Sequence, residues 1–477
     1  MIMQSKLFKL CLGAAAALFL VSVTAGLSYA QDQDTNAGAE QILHPGLNVT
    51  LREAVASGLN SNPEYGVVAA SRRATDEELN QGRALFYPSL DFRGDTGYEY
   101  TDSPSTRSLG KDSVSKHRSQ ASLTLTQMLF DGWSSLYEVA RQKARVTSSA
   151  HRVRETSELV SLSIVEAYLE VLRQRQLLMI SRQNVNDHLS ILDQIEQGVK
   201  AGRSTQADLE QARARLSNAR STESSTRQSL RNAEAEYRQQ VGEEAGELKL
   251  PVIPYDALEQ DVDLEVEKTL AYSPTLDIFS SDIEVAYAEA QGTKSSFYPQ
   301  VDLQLNATKT NDVSGVDGVD TGASALMVMN WNLYRGGADT ARAREFIHRH
   351  QQAKEQRMKA ARQVEKDVRQ TWASMIAAGE RARQFAAQVD ANMEVVKAYK
   401  DQFNIDRRTL LDVLDSQNEL FVSRSNAINS EFLEMFAVYR LLGLKGALLP
   451  TLDVPYPRES TVAAKDMWSE DARMKAR

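Results

Sequence analysis

The chain has 477 residues with 55 basic and 64 acidic side chains, which gives a formal net charge of −9 at pH 7. An acidic chain of this size has no basic footprint for a polyanion, so the composition excludes nucleic acid as a partner. Its single cysteine, Cys11, lies in a segment that we expect to be removed, so the mature chain would have no disulfide, no thiolate metal ligand and no nucleophilic cysteine.

The first 30 residues are predicted to be a signal peptide (1–30). Lys6 and Lys9 form its positive region, an apolar stretch follows, and Ser28-Tyr29-Ala30 ends it with small residues at the cleavage positions. A retained membrane anchor is the alternative, which the alanine-rich stretch and the cleavage pattern disfavour. A polar segment follows at 31–48. No later run reaches the roughly 18 apolar residues of a spanning helix, so a mature chain that enters a membrane must do so with strands.

The rest of the sequence contains an internal duplication. Phe86-Tyr87-Pro88 reappears as Phe297-Tyr298-Pro299 at an offset of 211, and Leu129-Phe130-Asp131-Gly132 as Leu333-Tyr334-Arg335-Gly336 at an offset of 204. The first copy therefore has seven extra residues (211 − 204) between these landmarks, which indicates a loop of variable length. We predict a first repeat at 49–250, a linker at 251–262, a second repeat at 263–449 and a polar tail at 450–477.

Each repeat contains a long region without proline, from Ser105 to Leu250 and from Gln300 to Leu449. These regions are rich in Ala, Gln, Arg, Glu and Leu, which are good helix formers. A helix of roughly 65 residues is ~100 Å long, so such helices must form coiled coils or bundles that project from a body. The predicted long helices are 134–197, 204–240, 338–403 and 408–442, the predicted short helices are 50–60, 64–85, 264–272 and 275–296, and the turns between long helices lie at Gly198, Gly202 and Asp406.

Between the proline and glycine landmarks the apolar pattern changes to a period of two residues. Val301 to Ala307 alternate with polar residues, a second file runs from Ala121 to Leu129 with Gln127 as a polar lapse, and a third runs from Ala323 to Leu333. The pattern predicts one β-hairpin in each copy, at about 86–133 and about 297–335, with polar loops at 103–118 and 309–322.

Long strands with one apolar face are typical of transmembrane β-barrels, although a half-buried soluble sheet has the same alternation. The export signal and the very long helices favour the barrel. Four strands cannot close by themselves, so the chain must form an oligomer: two chains would give eight strands and three would give twelve. Aromatic residues at the strand ends suit the membrane interface: Phe86, Tyr87, Phe130, Trp133, Phe297, Tyr298, Trp331 and Tyr334.

The duplicated plan and the stretch from Phe403 to Asp415 resemble the TolC family of outer-membrane channel proteins, and the core Arg408-Thr409-Leu410-Leu411-Asp412-Val413-Leu414-Asp415 is the most specific part. The resemblance implies an α+β membrane protein, an internally duplicated protomer of a trimeric twelve-stranded β-barrel continuous with a long α-helical barrel. It implies a location in the outer membrane of a Gram-negative bacterium, with the helices in the periplasm. Residues near 241–262 and after 443 would form an equatorial band.

The resemblance also implies roles for residues at the periplasmic tip. Asp412 and Asp415 match aspartates that ring the entrance, and Asp208 and Arg408 match partners in a network that locks the coils closed. Phe403 stands where the family has a tyrosine, which removes a hydroxyl from that network, and Asp406 stands where a glycine is common. Asp412 and Asp415 are three residues apart on one helix face, so six carboxylates in a trimer would raise some pKa values and select cations. A solvated helix face is the alternative.

The function that follows is a passive exit duct for efflux or type I secretion. The resemblance implies a periplasmic adaptor protein and an inner-membrane transporter as partners, besides the homotrimer and outer-membrane lipid. We find no catalytic constellation, phosphate loop, cofactor motif or metal-binding pattern, so the energy for transport must come from the partners. The alternative function is a coiled-coil scaffold of the envelope that forms no channel.

Overall fold

The computed structural model describes residues 49–461, apart from 109 and 406. The predicted signal peptide, the polar segment 31–48, Asp406 and residues 462–477 of the predicted tail therefore lie outside the described residues.

Two short helices, α1 (Leu51–Ser61) and α2 (Pro63–Ala84), begin the described chain. Each is started by a side chain that accepts a hydrogen bond from the first helical turn: Thr50 in a capping box with Glu53, and Asn62 from the amide of Glu64. Asn62 is extended, with ψ of 123°, as a residue before proline should be. The predicted break between the two helices therefore has its expected cause.

The first hairpin consists of β1 (Ser89–Thr101) and β2 (Val114–Phe130), and a short helix, α3 (Pro104–Ser108), lies in its loop. Two long helices follow, α4 (Ser134–Lys200) and α5 (Gln206–Val241).

The second copy repeats this order. It has α6 (Val262–Tyr272), α7 (Pro274–Gly292), the strands β3 (Gln300–Asn311) and β4 (Val319–Asn330), and then α8 (Ala338–Asn404) and α9 (Leu410–Lys445). A last short helix is α10 (Leu448–Thr451). The helix predicted at 275–296 ends earlier, at Gly292, and finishes in a 3-10 turn, Thr293–Phe297.

The long helices have the same lengths in both copies, 67 residues for α4 and α8 and 36 residues for α5 and α9. At 1.5 Å per residue the longer ones extend ~100 Å. The sequence predicted these helices because the regions contain no proline and keep an apolar stripe. Within the described chain, no helix is both long and apolar enough to cross a membrane.

The four strands form one antiparallel sheet in the order β1-β2-β3-β4. In the observed register, Phe92 lies opposite Leu123, Leu123 opposite Ala307, and Ala307 opposite Ala323. Residues of like polarity therefore share a face, and one face of the sheet is apolar across all four strands. The predicted alternation is present.

Two details of the sheet differ from the prediction, and the structure gives the cause of a third, which was predicted. A bulge between Met128 and Phe130 removes Leu129 from the apolar file and puts Phe130 opposite Val301. Gln127 interrupts the apolar pattern, and its side-chain amide donates a hydrogen bond to the backbone carbonyl of Phe86 at 3.2 Å. The final strand ends at Asn330, so Trp331 and Leu333 lie beyond the sheet.

The hairpin loops are shorter than the polar composition suggested. The last paired residues are Thr101 with Val114 and Asn311 with Val319, which leaves loops at 102–113 and 312–318 instead of 103–118 and 309–322. Pairing continues through polar residues because they form cross-strand ion pairs, such as Arg118 with Asp95 at 2.7 Å. The loops differ by five residues (12 − 7), so most of the seven extra residues of the first copy lie in the loop.

An apolar core surrounds the middle of α4, where α1, α5, α9 and the segments after α5 and α9 meet. Tyr168 is fully buried there, and its hydroxyl donates to the carbonyls of Val49 at 2.8 Å and Lys249 at 2.6 Å. Buried Glu158 accepts hydrogen bonds from the amide of Leu448, at 3.1 Å, and from the hydroxyl of Tyr456. The segment after α9 is therefore docked on a buried carboxyl group.

Burial raises the pKa of Glu158 to about 7, although the hydrogen bonds from Tyr456 and Leu448 partly oppose the shift. The folded pKa exceeds the usual 4.5. Glu158 therefore stabilises the docked segment fully at acid pH, where its carboxyl group is protonated. This stabilisation is lost as pH rises through about 7 and the group ionises.

We predict that the free energy for local opening of 446–456 falls by about 3 kcal/mol between pH 4.5 and pH 8. The measurement is hydrogen exchange of these amides, corrected for the intrinsic pH dependence of exchange. Glu158→Gln should remove this fall, whereas Asp453→Asn, in the same segment but in a surface pair with Arg52, should keep it. A fall of equal size in Glu158→Gln would contradict the prediction.

Candidate channel entrance at the helix tips

The first tip turn joins α4 to α5 and depends on two glycines. Gly202 has a φ of +72°, in the left-handed region that favours glycine. A Cβ on Gly198 would lie 2.6 Å from the hydroxyl oxygen of Ser204 and 3.3 Å from its Cβ, so a side chain at this position would force the Ser204 hydroxyl to move. The amide of Arg203 donates to the carbonyl of Gly198 at 2.8 Å, which closes the turn.

The second tip turn joins α8 to α9. The amide of Arg407 donates to the carbonyl of Gln402 at 2.9 Å. Gln402 is the position equivalent to Gly198 at an offset of 204. Asp406, which stands where a glycine is common in the family, lies outside the described residues.

Both shorter helices begin with the same capping box. Asp208 accepts from the hydroxyl of Thr205 at 2.7 Å and from its amide at 2.9 Å. Asp412 accepts from the hydroxyl of Thr409 at 2.8 Å and from its amide at 3.2 Å. These two aspartates thus have one local task, which is to hold the start of the helix that returns from the tip.

The capping box also sets the charge of Asp412. Hydrogen bonds from Thr409, first from its hydroxyl and then from its amide, hold the pKa of Asp412 below its ordinary value, and Arg408 adds to this. This direction within one protomer is opposite to the increase that we expected from repulsion in an assembled ring. The Asp412 carboxylate is therefore kept ionised by its own helix.

Asp415 is not an isolated carboxylate. It lies on α9, and its Oδ1 accepts a hydrogen bond from Nη2 of Arg215 on α5 at 2.9 Å. Arg215 was not among the tip residues predicted from the sequence. Its equivalent at an offset of 204 is Glu419, and the equivalent of Asp415 is Gln211. This difference in charge between the copies was the feature of the sequence that could have indicated the ion pair.

Arg408 is held by its own protomer on three sides. Its guanidinium lies over the ring of Tyr399, 4.2 Å from the centroid, and Nε donates to the side chain of Gln402 at 3.0 Å. Its Nη1 lies 3.8 Å from a carboxylate oxygen of Asp412. In the described part of the protomer no ion pair joins Arg408 to Asp208.

Phe403 belongs to an apolar cluster that connects the two helix pairs at the tip. It is half-buried beside Tyr399. A phenyl ring contributes packing here, whereas the family's tyrosine offers a hydroxyl. The buried members of the cluster come from α4, α5 and α9: Ile191, Ile195, Leu209, Ala212, Leu410, Val413 and Leu414.

Two buried polar side chains lie beyond this cluster, away from the tip turns. His188 on α4 and Gln417 on α9 are 5% and 4% exposed. Burial lowers the pKa of His188; the charges of Arg215 and Lys400 add to this, while Asp187 opposes it. Burial therefore favours the neutral form of His188, and no role was predicted for this residue from the sequence.

The predicted interface aromatics gather at the end of the sheet nearest the helices. Trp133 contacts Phe130 and Tyr298 edge to face, with centroid distances of 5.2 and 4.9 Å. The indole nitrogen of Trp331 donates to the carbonyl of Phe297 at 3.3 Å. Most of the set is exposed in the protomer: Phe86, Tyr87, Trp133, Phe297, Tyr298, Trp331 and Tyr334.

The ionisable groups of the described residues include no cluster of three or more His, Cys, Asp or Glu side chains that could hold a metal ion. What the tip geometry offers is therefore a set of fixed charges and helix caps.

Comparison with known proteins identifies the family. The family model described as "Outer membrane efflux protein" matches residues 55–243 and 266–432. The chain is 25% identical over 437 residues to the outer membrane efflux protein BepC of Brucella suis biovar 1, which covers 88% of this chain and 92% of BepC. It is 24% identical over 390 residues to the outer membrane protein TolC of Escherichia coli K12, which covers 78% of this chain and 77% of TolC.

The fold agrees with solved structures of such proteins. The crystal structure of the outer membrane protein VceC from Vibrio cholerae superposes with a TM-score of 0.70 at 15% identity, over 85% of this chain and 97% of VceC. The resemblance to the TolC family is therefore confirmed. Because the family model matches well over half of the sequence, the chain belongs to the outer membrane efflux protein family and is an exit duct of the outer membrane.

Proposed function

We propose that three copies of the chain form one duct, with a twelve-stranded β-barrel in the outer membrane and a tube of twelve long helices in the periplasm. One observation carries the proposal: each protomer has an open four-stranded sheet with an apolar face and two free edges.

The free edges require partners. Within the described residues, β1 and β4 each pair on one side only, and nearly every residue of β4 is exposed. Unpaired backbone N–H and C=O groups find no partner in hydrocarbon, so a lipid-exposed edge is not stable there. Pairing of β4 in one protomer with β1 in the next removes both edges.

The number of copies follows from the interior that a duct needs. Two copies would give eight strands, and side chains fill the interior of an eight-stranded barrel. Three copies give twelve strands and a wider lumen. The exposed apolar residues of α8 support lateral contacts as well, since Ile347, Met358 and Ile376 are 58%, 46% and 47% exposed in the protomer.

The tips form the gate in this proposal. Asp412 and Asp415 line the entrance, and Arg408 of one protomer engages Asp208 of the next when the duct is closed. Gly198 and Gly202 in the first turn, and the segment between α8 and α9 in the second, let the helix pairs reverse direction at that point. Phe403 stabilises the closed tip by apolar packing.

Partners supply the energy and the cargo. The chain has no motif for ATP hydrolysis, so an inner-membrane transporter and a periplasmic adaptor protein would dock on the tip and on the grooves between helix pairs. The cargo would be small toxic molecules or polypeptides. The alternative of a coiled-coil scaffold without a channel is not favoured, because the family is one of outer membrane efflux proteins.

We predict that disulfides can join the free edges of neighbouring protomers. A cysteine at Asp95 of β1 would be combined in turn with one at Asp320, Gly322 or Ser324 of β4, which share its face of the sheet. We expect at least one pair to give covalent dimers and trimers on non-reducing gels, because these strands pair across the protomer boundary.

The matched control is Thr124→Cys with Asn306→Cys, two directly opposed residues of β2 and β3 whose side chains lie 3.2 Å apart. This pair should form a disulfide within one chain and leave the monomer mass unchanged. Failure of every β1–β4 pair while the control pair oxidises would contradict the proposed closure.

We also predict that Asp412→Asn with Asp415→Asn abolishes cation preference and weakens block by divalent cations by at least about tenfold in single-channel recordings. Asparagine keeps an acceptor for the capping box, so the helix start should survive. Asp193→Asn is the control, because Asp193 bonds to Gln197 of its own helix. Unchanged selectivity in the double variant would refute the entrance ring.

A further inference from the structure

The contact between Arg215 and Asp415 joins the two copies through charge at the proposed entrance. Arg215 lies on α5, in the first repeat, and Asp415 lies on α9, in the second. Their hydrogen-bonded contact of 2.9 Å brings a full positive charge against one of the two proposed ring carboxylates.

Neighbouring arginines do not substitute for Arg215. Arg213, two residues earlier, pairs with Glu210 at 2.9 Å and Glu196 at 3.5 Å. Arg408 is held over Tyr399 and lies 3.8 Å from the nearest oxygen of Asp412. Asp415 therefore receives its compensation from one specific side chain.

We propose that Arg215 is a specificity-determining residue of the duct, which neutralises Asp415 and so limits the preference of the entrance for cations. The inference rests on the proposed ring of Asp412 and Asp415. It assigns the two aspartates different tasks. Asp412, fixed by its capping box, has its nearest cation, Arg408, at 3.8 Å and keeps more of its attractive charge. Asp415 is in hydrogen-bonded contact with Arg215 at 2.9 Å and keeps less.

The electrostatic reason is the difference between a charge and a dipole. An isolated carboxylate attracts a cation with an energy that falls as the inverse of distance. A carboxylate in contact with a guanidinium presents a dipole, whose field falls faster, so a cation on the channel axis is attracted much less. The side chains of Arg215 and Asp415 are 37% and 53% exposed in the protomer, so the pair is open to solvent there, and in the proposed ring it would lie beside the path of the ions.

This ion pair could not be predicted from the internal duplication alone. A symmetric protomer would pair equivalent positions, yet Arg215 corresponds to Glu419 and Asp415 corresponds to Gln211. Only one of the two symmetry-related contacts can therefore be an ion pair. This asymmetry gives the entrance one compensated aspartate in each protomer.

The test is single-channel recording of the full-length protein in planar bilayers, with reversal potentials in a KCl gradient and Mg²⁺ as the blocking ion. Arg215→Gln should raise the permeability ratio of K⁺ over Cl⁻ and tighten Mg²⁺ block by about tenfold, because three carboxylates, one in each protomer, lose their partners. Arg215→Lys keeps the charge and should behave as wild type. Arg213→Gln, which changes an exposed arginine outside the ring, should also behave as wild type.

A second variant keeps the test valid if Arg215→Gln inserts poorly. Asp415→Asn leaves Arg215 without its partner and should shift selectivity towards anions, and the double variant Arg215→Gln with Asp415→Asn should return close to wild type, since the fixed charge is then the same. Wild-type selectivity in Arg215→Gln, or no reversal in the double variant, would overturn the inference.

The outcomes separate this inference from the function on which it rests. If neither Asp412→Asn nor Asp415→Asn alters selectivity, the ring itself is refuted. If both alter it and Arg215→Gln does not, the ring stands and only the role of Arg215 is refuted.

Discussion

The need to pair every backbone group in a membrane is the constraint on which the structure depends. The protomer presents an apolar sheet with two unpaired edge strands, which is a stable arrangement only if other copies complete it. In the proposed assembly, oligomerisation is therefore a condition of the fold in the membrane, and the enclosed duct is its consequence. The long helices then follow the sheet in the same order in each copy, so closure of the barrel would also gather the helix tips.

The tip combines a symmetric scaffold with an asymmetric set of charges. Thr205 with Asp208 and Thr409 with Asp412 form the same capping box, so the duplication explains why both helix pairs turn alike. Asp415 and Arg408 have no charged equivalents in the first copy, where Gln211 and Ser204 stand. Duplication thus accounts for the two similar turns, and the differences between the copies account for the charges that the proposed gate would use.

Much of the fold was predictable because its signals are local and repeated. Long regions without proline predict the helices of 67 residues, and apolar residues at every second position predict the long strands. The bulge at Leu129 was not predictable, since one extra residue leaves no mark in composition. The contact between Arg215 and Asp415 was not predictable either, because it joins residues 200 positions apart on different helices. Thr409 and Asp412 have the spacing of a capping box, so this contact was predictable from the sequence. Asp412 was instead assigned to the entrance ring, on the basis of the family resemblance.

The most direct measurement of the central claim is the number of chains and strands in the detergent-extracted protein, obtained by native mass spectrometry together with electron cryo-microscopy. The account predicts three chains in one closed barrel of twelve strands, with β1 of each protomer hydrogen-bonded to β4 of its neighbour. A closed barrel of eight strands from two chains, or single chains with open sheet edges in the membrane, would contradict it.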